Sequence, residues 1–379
     1  MKIGIDTLGE NPKSPSSAIN LLIELLKSCS KEKDNEFIVF VSNQNKFIFE
    51  KYNAKNITFV NCFFSNENIF LRILAQQILI PFFLFLYKCD GIYCPINSAP
   101  LLTSKPIFLK INTLHHIDLP KEFPVGFLRK LYRSFMFGQS AKKAKIIIAN
   151  TQYLKDRLVN HYNFENSKIK ISHEAYSEGF GVFSKDFSKK YVEKKYKINY
   201  DFIIYPSNMY NYKNHLNSLK GYIRFLEETN SKLFLIFLGR DEHNIKNPLI
   251  DLATRSKKLD MVKFIDFVPI EDAIHLINAS SILYYPSRME TFGKPIIEGM
   301  ISKIPVVGSK IPPIEELSYD KRLLFNVDNY DEMSKKLKLA LNVDKTFLEL
   351  SYRKAKDFTY DNHNKKIFEI INLYLNSNN

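Results

Sequence analysis

Short runs of apolar residues alternate along this chain with longer stretches in which apolar residues recur every three or four positions. The short runs are rich in Ile, Val and Phe, which favours buried β-strands, and the longer stretches have the spacing of amphipathic helices. In the first half, helices are predicted at 16–29, 70–87, 125–142 and 152–161. The predicted strands are KIGID, EFIVFV, ITFVNC, DGIYCP, PIFLKIN, KIIIAN and KIKIS. This alternation predicts a parallel, doubly wound sheet.

The same alternation resumes after a polar stretch in the middle of the chain. Residues 184–199 contain Lys and Asp but few apolar residues, which indicates a domain boundary. The strands predicted beyond it are DFIIYPS, LFLIFLG, VKFIDF, SILYYPS, PVVGS and LLFN. We therefore predict an α/β protein with two doubly wound Rossmann-like domains, 1–185 and 200–379, and a cleft between them. An amphipathic helix at about 362–376 is expected to cross back to the first domain.

Length and composition agree with two globular domains. The 379 residues are 45% hydrophobic and 25% charged, as in proteins with packed cores. The 54 Lys and Arg residues exceed the 40 Asp and Glu residues, which gives a formal charge of +14. Three kinds of anionic partner fit this charge: nucleic acid, an acidic lipid surface or a phosphorylated substrate. An excess of Lys, Asn, Ile and Phe without Trp is typical of AT-rich codon usage, which weakens the charge as evidence of function.

Other features of the sequence disfavour several protein classes. The chain begins with a predicted strand rather than a signal peptide, so a cytoplasmic location is expected. The apolar run 78–87 contains Pro81 and is far shorter than the roughly 20 residues of a membrane-spanning helix, so it predicts a buried helix beneath a sheet, with an interfacial segment as the alternative. The cysteines form no CxxC pair and are expected to be reduced core thiols. Without G-x-G-x-x-G or Walker motifs, dinucleotide oxidoreductases and P-loop kinases are disfavoured.

The segment after strand SILYYPS carries the strongest chemical signal. It reads SRMETFGKPIIEGM over 287–300, a loop that leads into a predicted helix. Gly293 has no side chain, so a diphosphate can lie against backbone N–H groups at the helix start, where the helix dipole favours negative charge. Glu298 would accept hydrogen bonds from two adjacent ribose hydroxyls, and Glu290 would face a donor sugar. The alternative is a surface loop whose carboxylates merely complement the dipole.

This segment resembles the E-x7-E signature of the family-four retaining glycosyltransferases, which have the GT-B fold and include the group 1 enzymes of bacterial surface polysaccharides. The pattern E-x-F-G-x-P-x-x-E begins at Glu290. The resemblance implies that Glu290 lies near the donor sugar and that Glu298 binds the ribose. It also implies donor contacts at Phe292, Gly293 and Lys294, where sugar hydroxyls meet backbone N–H groups.

A second loop follows strand DFIIYPS and reads YPSNMYNYKNH over 205–215. Lys213 would place a compact positive charge against the diphosphate and neutralise the leaving nucleoside diphosphate, whereas the alternative is a solvated surface lysine. The loop resembles the family's phosphate clamp of one Arg and one Lys. However, Asn208 stands where many members carry the Arg, and Arg240 in LGRDE is a candidate for the missing charge.

A third segment, INTLHHIDLP at 111–120, ends strand PIFLKIN at the sheet edge where open α/β sheets bind ligands. It resembles the family's T-I-H-D segment. The resemblance implies that His115 contacts a sugar hydroxyl or stabilises developing charge, with His116 and Asp118 as acceptor contacts. The alternative is that these histidines only cap a loop. Near the amino terminus, Gly9 is the remaining candidate for acceptor binding, in the segment GENPKSP that stands where the family has a Gly-Gly loop.

The resemblance implies a retaining hexosyltransferase, in which the second domain is expected to hold a nucleotide diphosphate sugar and the first domain the acceptor. GDP-mannose or a UDP-hexose is the expected donor. The expected acceptor is a lipid-linked or lipopolysaccharide saccharide of an O-antigen or capsule, reached at the cytoplasmic face of the inner membrane. No metal is expected, because the eight histidines are scattered and Lys213 with a helix amino terminus would replace the cation.

Two alternatives belong to other functional classes. A nucleic-acid-binding α/β protein would use the basic residues, but these are spread along the chain, and no RRM, KH or helix-turn-helix signature is present. A catalytically inactive GT-B homologue would explain Asn208 in the clamp. Intact Lys213 and Glu298 favour the enzyme over this second alternative.

Overall fold

The computed structural model describes residues 1–10, 17–63, 68–122 and 126–377, and the chain divides into two compact units. The first unit comprises Met1–Glu174 and Tyr360–Asn379, and the second comprises Ala175–Thr359. Each unit contains a parallel sheet with helices, so the predicted α/β class is confirmed. The predicted helix starts at 16 and 125 lie outside the described residues.

The first unit is built on one sheet in which every described strand pairs in parallel with its neighbours. Strands β1 to β7 are Lys2–Asp6, Glu36–Val41, Ile57–Asn61, Gly91–Cys94, Ile107–Ile111, Ile146–Ala149 and Ile169–Ile171. Helices α1 to α7 are Ser17–Lys31, Lys46–Phe49, Ile69–Leu74, Ile80–Leu86, His115–Asp118, Phe127–Lys143 and Gln152–Asn160. Helices cover the central strands, which explains why these strands are continuous apolar runs. All four cysteines are buried and unpaired, as predicted.

The second unit repeats this plan. Helices α8 to α15 are Lys185–Tyr196, His215–Thr229, Lys246–Arg255, Ile270–Ala279, Lys294–Ile301, Pro312–Leu317, Tyr330–Ala340 and Lys345–Ala355. Strands β8 to β13 are Phe202–Pro206, Phe234–Leu238, Val262–Ile265, Ile282–Tyr285, Val306–Ser309 and Leu324–Phe325. They form a second parallel sheet.

The strand order of each sheet reverses at its first strand. The first sheet has the order β3-β2-β1-β4-β5-β6-β7, and the second has the order β10-β9-β8-β11-β12-β13. Strands β2 and β3 lie on one side of β1, and β4 to β7 lie on the other. In the second sheet, β9 and β10 lie on one side of β8, and β11 to β13 lie on the other. Loops that leave the carboxyl ends of β1 and β4, or of β8 and β11, therefore diverge and leave a crevice suited to a ligand.

The division between units differs from the predicted boundary. It lies between Glu174 and Ala175, before the polar stretch 184–199. Most of that stretch is helix α8, whose N-cap Ser184 accepts a hydrogen bond from the Phe187 N–H over 3.2 Å. Helix α8 packs on α11 in the second unit, and Val192 is buried in that unit's core. The sequence of this stretch indicated a boundary because only a narrow face of α8 is buried.

The last helix, α16 (Tyr360–Asn376), belongs to the first unit. Its Phe368 ring lies 5.4 Å from the ring of Phe37, and the Asn364 side chain donates to Ser28 Oγ over 2.9 Å. Buried apolar residues along one side of α16, such as Ile367, explain the amphipathic pattern of the sequence.

The stretch 70–87, predicted as a single helix with its apolar run 78–87 buried, differs from that prediction. It consists of α3, a π-helical turn at Ala75–Leu79 and α4. Ile80 and Leu84 are fully buried, but Phe82 and Phe85 are 56% and 79% exposed. The prediction of a buried helix is therefore wrong for one face. Among the described residues, no helix is both long enough and apolar enough to cross a bilayer.

Candidate functional site

The loop between β8 and α9 presents Lys213 from a well-defined turn. A 3-10 turn, Asn211–Lys213, is followed by Asn214, whose φ of 65° lies in the left-handed region that Asn tolerates better than most residues. The Tyr205 hydroxyl donates a hydrogen bond to the Lys213 carbonyl, and the Tyr205 ring stacks on His215 with centroids 4.4 Å apart. These contacts fix the Lys213 backbone at the carboxyl end of β8.

The loop between β11 and α12 is joined to this first loop through the backbone. The Arg288 N–H donates to the Tyr212 carbonyl over 2.8 Å, and the Arg288 guanidinium lies 2.9 Å from Asp328. Gly293 is the N-cap of α12 and has a φ of 102°. A residue with a Cβ would be strained in this conformation, so the start of α12 depends on glycine.

Lys213, Tyr285 and Glu290 meet where these two loops converge. The Lys213 Nζ lies 2.5 Å from Glu290 Oε1 and donates to the Tyr285 hydroxyl over 2.8 Å. The Tyr285 hydroxyl in turn donates to Glu290 Oε1 over 2.8 Å. The structure therefore brings together two residues predicted from separate motifs, and it adds a third that the sequence did not indicate.

This cluster holds its charges away from bulk water. The side chains of Lys213 and Glu290 are only 12% and 8% exposed. The Lys213 ammonium also lies 5.1 Å from the ring centroids of both Tyr212 and Tyr285, close enough for cation–π attraction. Burial, and then the neighbouring Glu290 charge, hold the pKa of Tyr285 well above its usual value. Tyr285 therefore stays protonated and acts as a donor to a carboxylate.

His215, directly after the Lys213 turn, is held neutral. Burial and the nearby Lys213 charge lower the pKa of His215 to about 3. The ring is packed between Tyr205 and Phe237, whose centroid lies 5.5 Å away. A neutral ring at this position adds no second positive charge to the cluster.

Glu298 is buried in the first turns of α12. Burial raises the pKa of its carboxyl, although the Lys294 charge and Ser177 act in the opposite direction. The Ser177 hydroxyl lies 3.5 Å from Glu298 Oε1, which is long for a hydrogen bond. A ligand hydroxyl that donated to this carboxylate would stabilise its charged form. Lys294, predicted as a donor contact, is placed by the structure at the first position of α12.

Three other predicted donor residues have their contacts outside this cluster. Asn208 Oδ1 accepts a hydrogen bond from the Arg240 N–H over 3.0 Å, which ties the two loops after β8 and β9 together. The Arg240 guanidinium lies over the Phe267 ring at 4.5 Å. Phe292 is buried, with its ring 6.3 Å from that of Phe358, so its side chain serves the core of the unit.

The predicted acceptor residues lie in the first unit. Asp118 forms an ion pair with Arg157 at 2.7 Å and accepts a hydrogen bond from Tyr162 over 3.3 Å, so its contacts fasten the loop after β5 to α7 and the segment that follows it. Burial and Asp118 raise the pKa of Tyr162 to about 12. The His115 N–H donates to Thr113 Oγ1 over 3.1 Å at the start of α5.

Two further acceptor predictions have different outcomes. Gly9 lines a cavity at the carboxyl edge of the first sheet. A Cβ at Gly9 would come within 2.9 Å of Ile96, so a larger residue would require Ile96 to move. The side chain of His116 and residues 11–15 of the GENPKSP segment lie outside the described part of the chain.

Sequence reasoning missed Tyr285 because SILYYPS reads as an apolar core strand. A tyrosine at the last position of a strand that ends at a ligand edge is the signal that was available. Across the described ranges, no group of three or more His, Cys, Asp and Glu side chains is arranged to hold a metal ion.

Comparisons with known proteins agree with this geometry. Residues 188–357 match the model of the family "Glycosyl transferases group 1". The chain is 28% identical over 235 residues to the O-antigen chain mannosyltransferase RfbU of Salmonella typhimurium strain LT2, an alignment that covers 62% of this chain and 60% of RfbU. It is 25% identical over 262 residues to O-antigen chain mannosyltransferase B of Escherichia coli, covering 66% of this chain and 67% of the relative.

Solved structures with the same fold cover almost the whole chain. The Anabaena protein HepE, crystallised with UDP, superposes with a TM-score of 0.73 at 16% identity, covering 98% of this chain and 100% of HepE. WaaG, a glycosyltransferase of lipopolysaccharide biosynthesis, superposes with a TM-score of 0.66 at 12% identity, covering 96% of this chain and 98% of WaaG. The two Rossmann-like sheets and these neighbours show that this chain has the GT-B fold, and its segment 188–357, in the second unit, matches the group 1 glycosyl transferases.

Proposed function

We propose that this chain is a retaining glycosyltransferase that moves a hexose from a nucleotide diphosphate sugar to a bacterial surface glycan. The observation that carries the proposal is the Lys213–Tyr285–Glu290 cluster at the switch point of a group 1 domain. Relatives named as O-antigen mannosyltransferases and a solved neighbour bound to UDP support the reaction class.

The chemistry requires stabilisation of negative charge on the leaving group. When the bond between the anomeric carbon and the diphosphate oxygen breaks, charge builds on the nucleoside diphosphate. Lys213 would neutralise part of that charge, and the amino terminus of α12 after Gly293 would supply N–H groups and a favourable dipole. Because Lys213 is largely shielded from solvent, water competes weakly for its charge. Glu290 would then accept a hydrogen bond from a hydroxyl of the donor sugar.

The retaining outcome rests on the resemblance of the Glu290–Glu298 segment to retaining enzymes. In the proposed step, the acceptor hydroxyl attacks from the face that the diphosphate leaves, and the departing phosphate oxygen takes the hydroxyl proton. No separate base is required, so His115 would serve as a hydroxyl contact. We further propose that Glu298 binds the ribose and that no catalytic metal is needed, because Lys213 and the α12 terminus supply positive charge.

The donor and acceptor are proposed from the relatives. GDP-mannose is the first candidate donor because two relatives are mannosyltransferases, and a UDP-hexose is the second because HepE was crystallised with UDP and UDP-glucose. A saccharide of an O-antigen or lipopolysaccharide is the proposed acceptor. The reaction would take place in the cytoplasm.

We also propose peripheral contact with the inner membrane through the outer face of α3 and α4. Phe70, Leu74, Phe82 and Phe85 expose large apolar side chains there. The formal charge of +14 favours an anionic lipid surface. Flotation with phosphatidylcholine vesicles, with and without phosphatidylglycerol, tests this contact on the double variant Phe70→Ser/Phe85→Ser. Binding that persists in the double variant would contradict it, and Leu373→Ser, an exposed apolar residue on α16, is the matched control.

The reaction itself is tested by donor binding and by product stereochemistry. Thermal unfolding is followed with GDP-mannose, UDP-glucose and the free nucleotides, in the presence of EDTA. We expect one nucleotide series to raise the unfolding temperature without metal. Slow hydrolysis of that donor, followed by proton NMR, should first release the anomer that the donor carries.

A matched pair of lysine variants makes the test specific. Lys213→Gln removes the cluster charge, whereas Lys232→Gln removes an exposed lysine of the same unit. Stabilisation by nucleotide should be lost in the first variant and kept in the second. Absence of stabilisation by every nucleotide, or initial release of the opposite anomer, would overturn the donor site or the retaining step respectively.

A further inference from the structure

A cavity of about 460 Å³ lies at the switch point of the first sheet, a size typical of small-ligand sites. The loop after β1 lines it through Leu8, Gly9 and Glu10, and the loop after β4 lines it through Ile96 and Ser98. The cavity therefore occupies, in the first unit, the topological position that the Lys213 cluster occupies in the second.

Hydrogen bonds fix the polar base of this cavity. Asp6, at the end of β1, accepts from the Leu8 N–H over 3.0 Å and from Gln76 Nε2 over 2.7 Å. Gln76 Nε2 also lies 3.2 Å from Ser98 Oγ. Gln76 belongs to the π-helical turn between α3 and α4, a local structure that is frequent at functional sites. Each carboxyl oxygen of Asp6 accepts a hydrogen bond, and burial raises the pKa of this carboxyl. The electrostatic repulsion between Asp6 and a bound anion is therefore weak.

Two arginines from different helices line the same cavity. Arg72 comes from α3 and Arg133 from α6. Within the described ranges, the Arg72 guanidinium makes no hydrogen bond and no ion pair, although its charge acts on Asp6. Glu10 is the acidic group among the lining residues, so the lining carries two guanidinium groups and one carboxylate. Tyr132 also lines the cavity, and burial raises the pKa of its hydroxyl, which keeps it protonated.

We infer that this cavity binds the anionic group of the acceptor, with Arg72 and Arg133 donating to its phosphate or carboxylate oxygens. A guanidinium presents paired N–H donors that match such oxygens. The helix that supplies Arg72 also exposes Phe70 and Leu74, which favours a phosphate carried on a lipid over a carboxylate carried on a sugar. The inference rests on the proposed function, because it assigns the substrate class of the proposed acceptor site.

The test measures binding of geranyl diphosphate by titration calorimetry, with geraniol and glucuronic acid as comparison ligands. All proteins carry Lys213→Gln, so that the diphosphate cannot report on the proposed donor site. In that background, Arg72→Gln and Arg133→Gln should each raise the Kd for geranyl diphosphate about tenfold or more, as expected for a lost charge-assisted hydrogen bond. Lys130→Gln, an exposed lysine on α6, should change it less than about twofold.

The outcomes separate the chemical sources and the two proposals. Arginine-dependent binding of glucuronic acid alone would support the anion site and name a sugar carboxylate as its ligand. Equal binding of geraniol and geranyl diphosphate, or no effect of either arginine substitution, would overturn the inference. Arg72→Lys keeps the charge without the paired donors, so its Kd for geranyl diphosphate should lie between those of the Arg72 protein and Arg72→Gln. Thermal unfolding confirms that each variant is folded. Nucleotide binding by the unsubstituted chain is a separate measurement, and its failure would remove the proposed function but not the anion site.

Discussion

The two sheets place their polar loops at the same topological position but equip them differently. At the β8/β11 switch point, Lys213 is paired with Glu290 at 2.5 Å and enclosed by tyrosines. At the β1/β4 switch point, Arg72 lines an open cavity and has no ion pair in the part of the chain that the structure describes.

In our proposal, one scaffold supports two kinds of anion site. A buried pair with a third hydrogen-bonding group keeps its charges oriented before a ligand arrives, which suits charge that develops during a reaction. An unpaired guanidinium at a cavity wall gains its partner only from the ligand, which suits recognition. Removal of one charge should therefore damage the second unit's site in both stability and activity, whereas the first unit's site should lose only binding.

The largest effect is expected for Lys213→Gln. Loss of the cation should lower kcat by roughly 100-fold to 1,000-fold, about 3–4 kcal/mol of transition-state stabilisation. The unfolding free energy should also fall, because the Glu290 carboxylate stays buried without its partner. Initial rates and urea unfolding measure the two effects. The double variant Lys213→Gln/Glu290→Gln should recover stability but not activity, and recovered activity would contradict a role for the lysine charge in catalysis.

Glu298→Gln should separate binding from stability. Burial raises the folded-state pKa of Glu298, so the folded chain holds this proton more tightly than the unfolded chain. Its contribution to stability is therefore greatest below the unfolded pKa and falls as pH rises through the folded value. At neutral pH, the variant should keep or gain unfolding free energy, yet bind nucleotide about tenfold or more weakly. A variant that loses stability with unchanged nucleotide affinity would show that Glu298 is purely structural.

His215 should make the stability of the second site sensitive to acid. Its pKa of about 3 in the folded chain lies below the ordinary 6.5, so its stabilising contribution is present above 6.5 and is lost as pH falls toward 3. Between pH 7 and pH 5 the loss should be about 2 kcal/mol. His215→Phe keeps the stacking with Tyr205 and should remove this part of the pH dependence. Urea unfolding at the two pH values measures this effect. If the unfolding free energy changes equally with pH in the unsubstituted chain and in His215→Phe, the buried neutral histidine is contradicted.

The smallest effect is expected for Tyr285→Phe, which tests the third member of the cluster. The hydroxyl orients Glu290 without carrying charge, so its removal should lower kcat about fivefold, near 1 kcal/mol, with little change in KM for the donor. A loss as large as that of Lys213→Gln would mean that Tyr285 acts directly on the reacting groups. An unchanged kcat would mean that Lys213 alone positions Glu290.

Much of this architecture was predictable from the sequence. Apolar runs such as KIGID and DFIIYPS became β1 and β8, because continuous apolar strands are stable only inside a covered parallel sheet. Gly293 was assigned correctly to a helix start, since its left-handed conformation excludes most other residues. Both features depend on only a few consecutive residues, so the sequence alone predicts them.

The remaining features depend on contacts between distant segments. The stretch that forms helix α8 predicts a domain boundary because its buried side is narrow, with Val192 its single buried large apolar residue. The hydrogen bond from Tyr285 to Glu290 and the pairing with Lys213 exist only once two loops meet. That Arg72 and Arg133 line the same cavity likewise depends on how α3 and α6 are placed in the fold, which spacing along the chain does not encode.

The most direct measurement is calorimetric titration of two ligands, the stabilising nucleotide sugar and geranyl diphosphate, into Lys213→Gln and Arg72→Gln. If the two switch points are separate anion sites, Lys213→Gln will lose the nucleotide sugar and keep geranyl diphosphate. Arg72→Gln will keep the nucleotide sugar, and Arg72→Gln added to Lys213→Gln will abolish the binding of geranyl diphosphate. The division of the two sites between the units would be contradicted if either single variant, Lys213→Gln or Arg72→Gln, bound neither of the two ligands. It would also be contradicted if both single variants still bound both ligands.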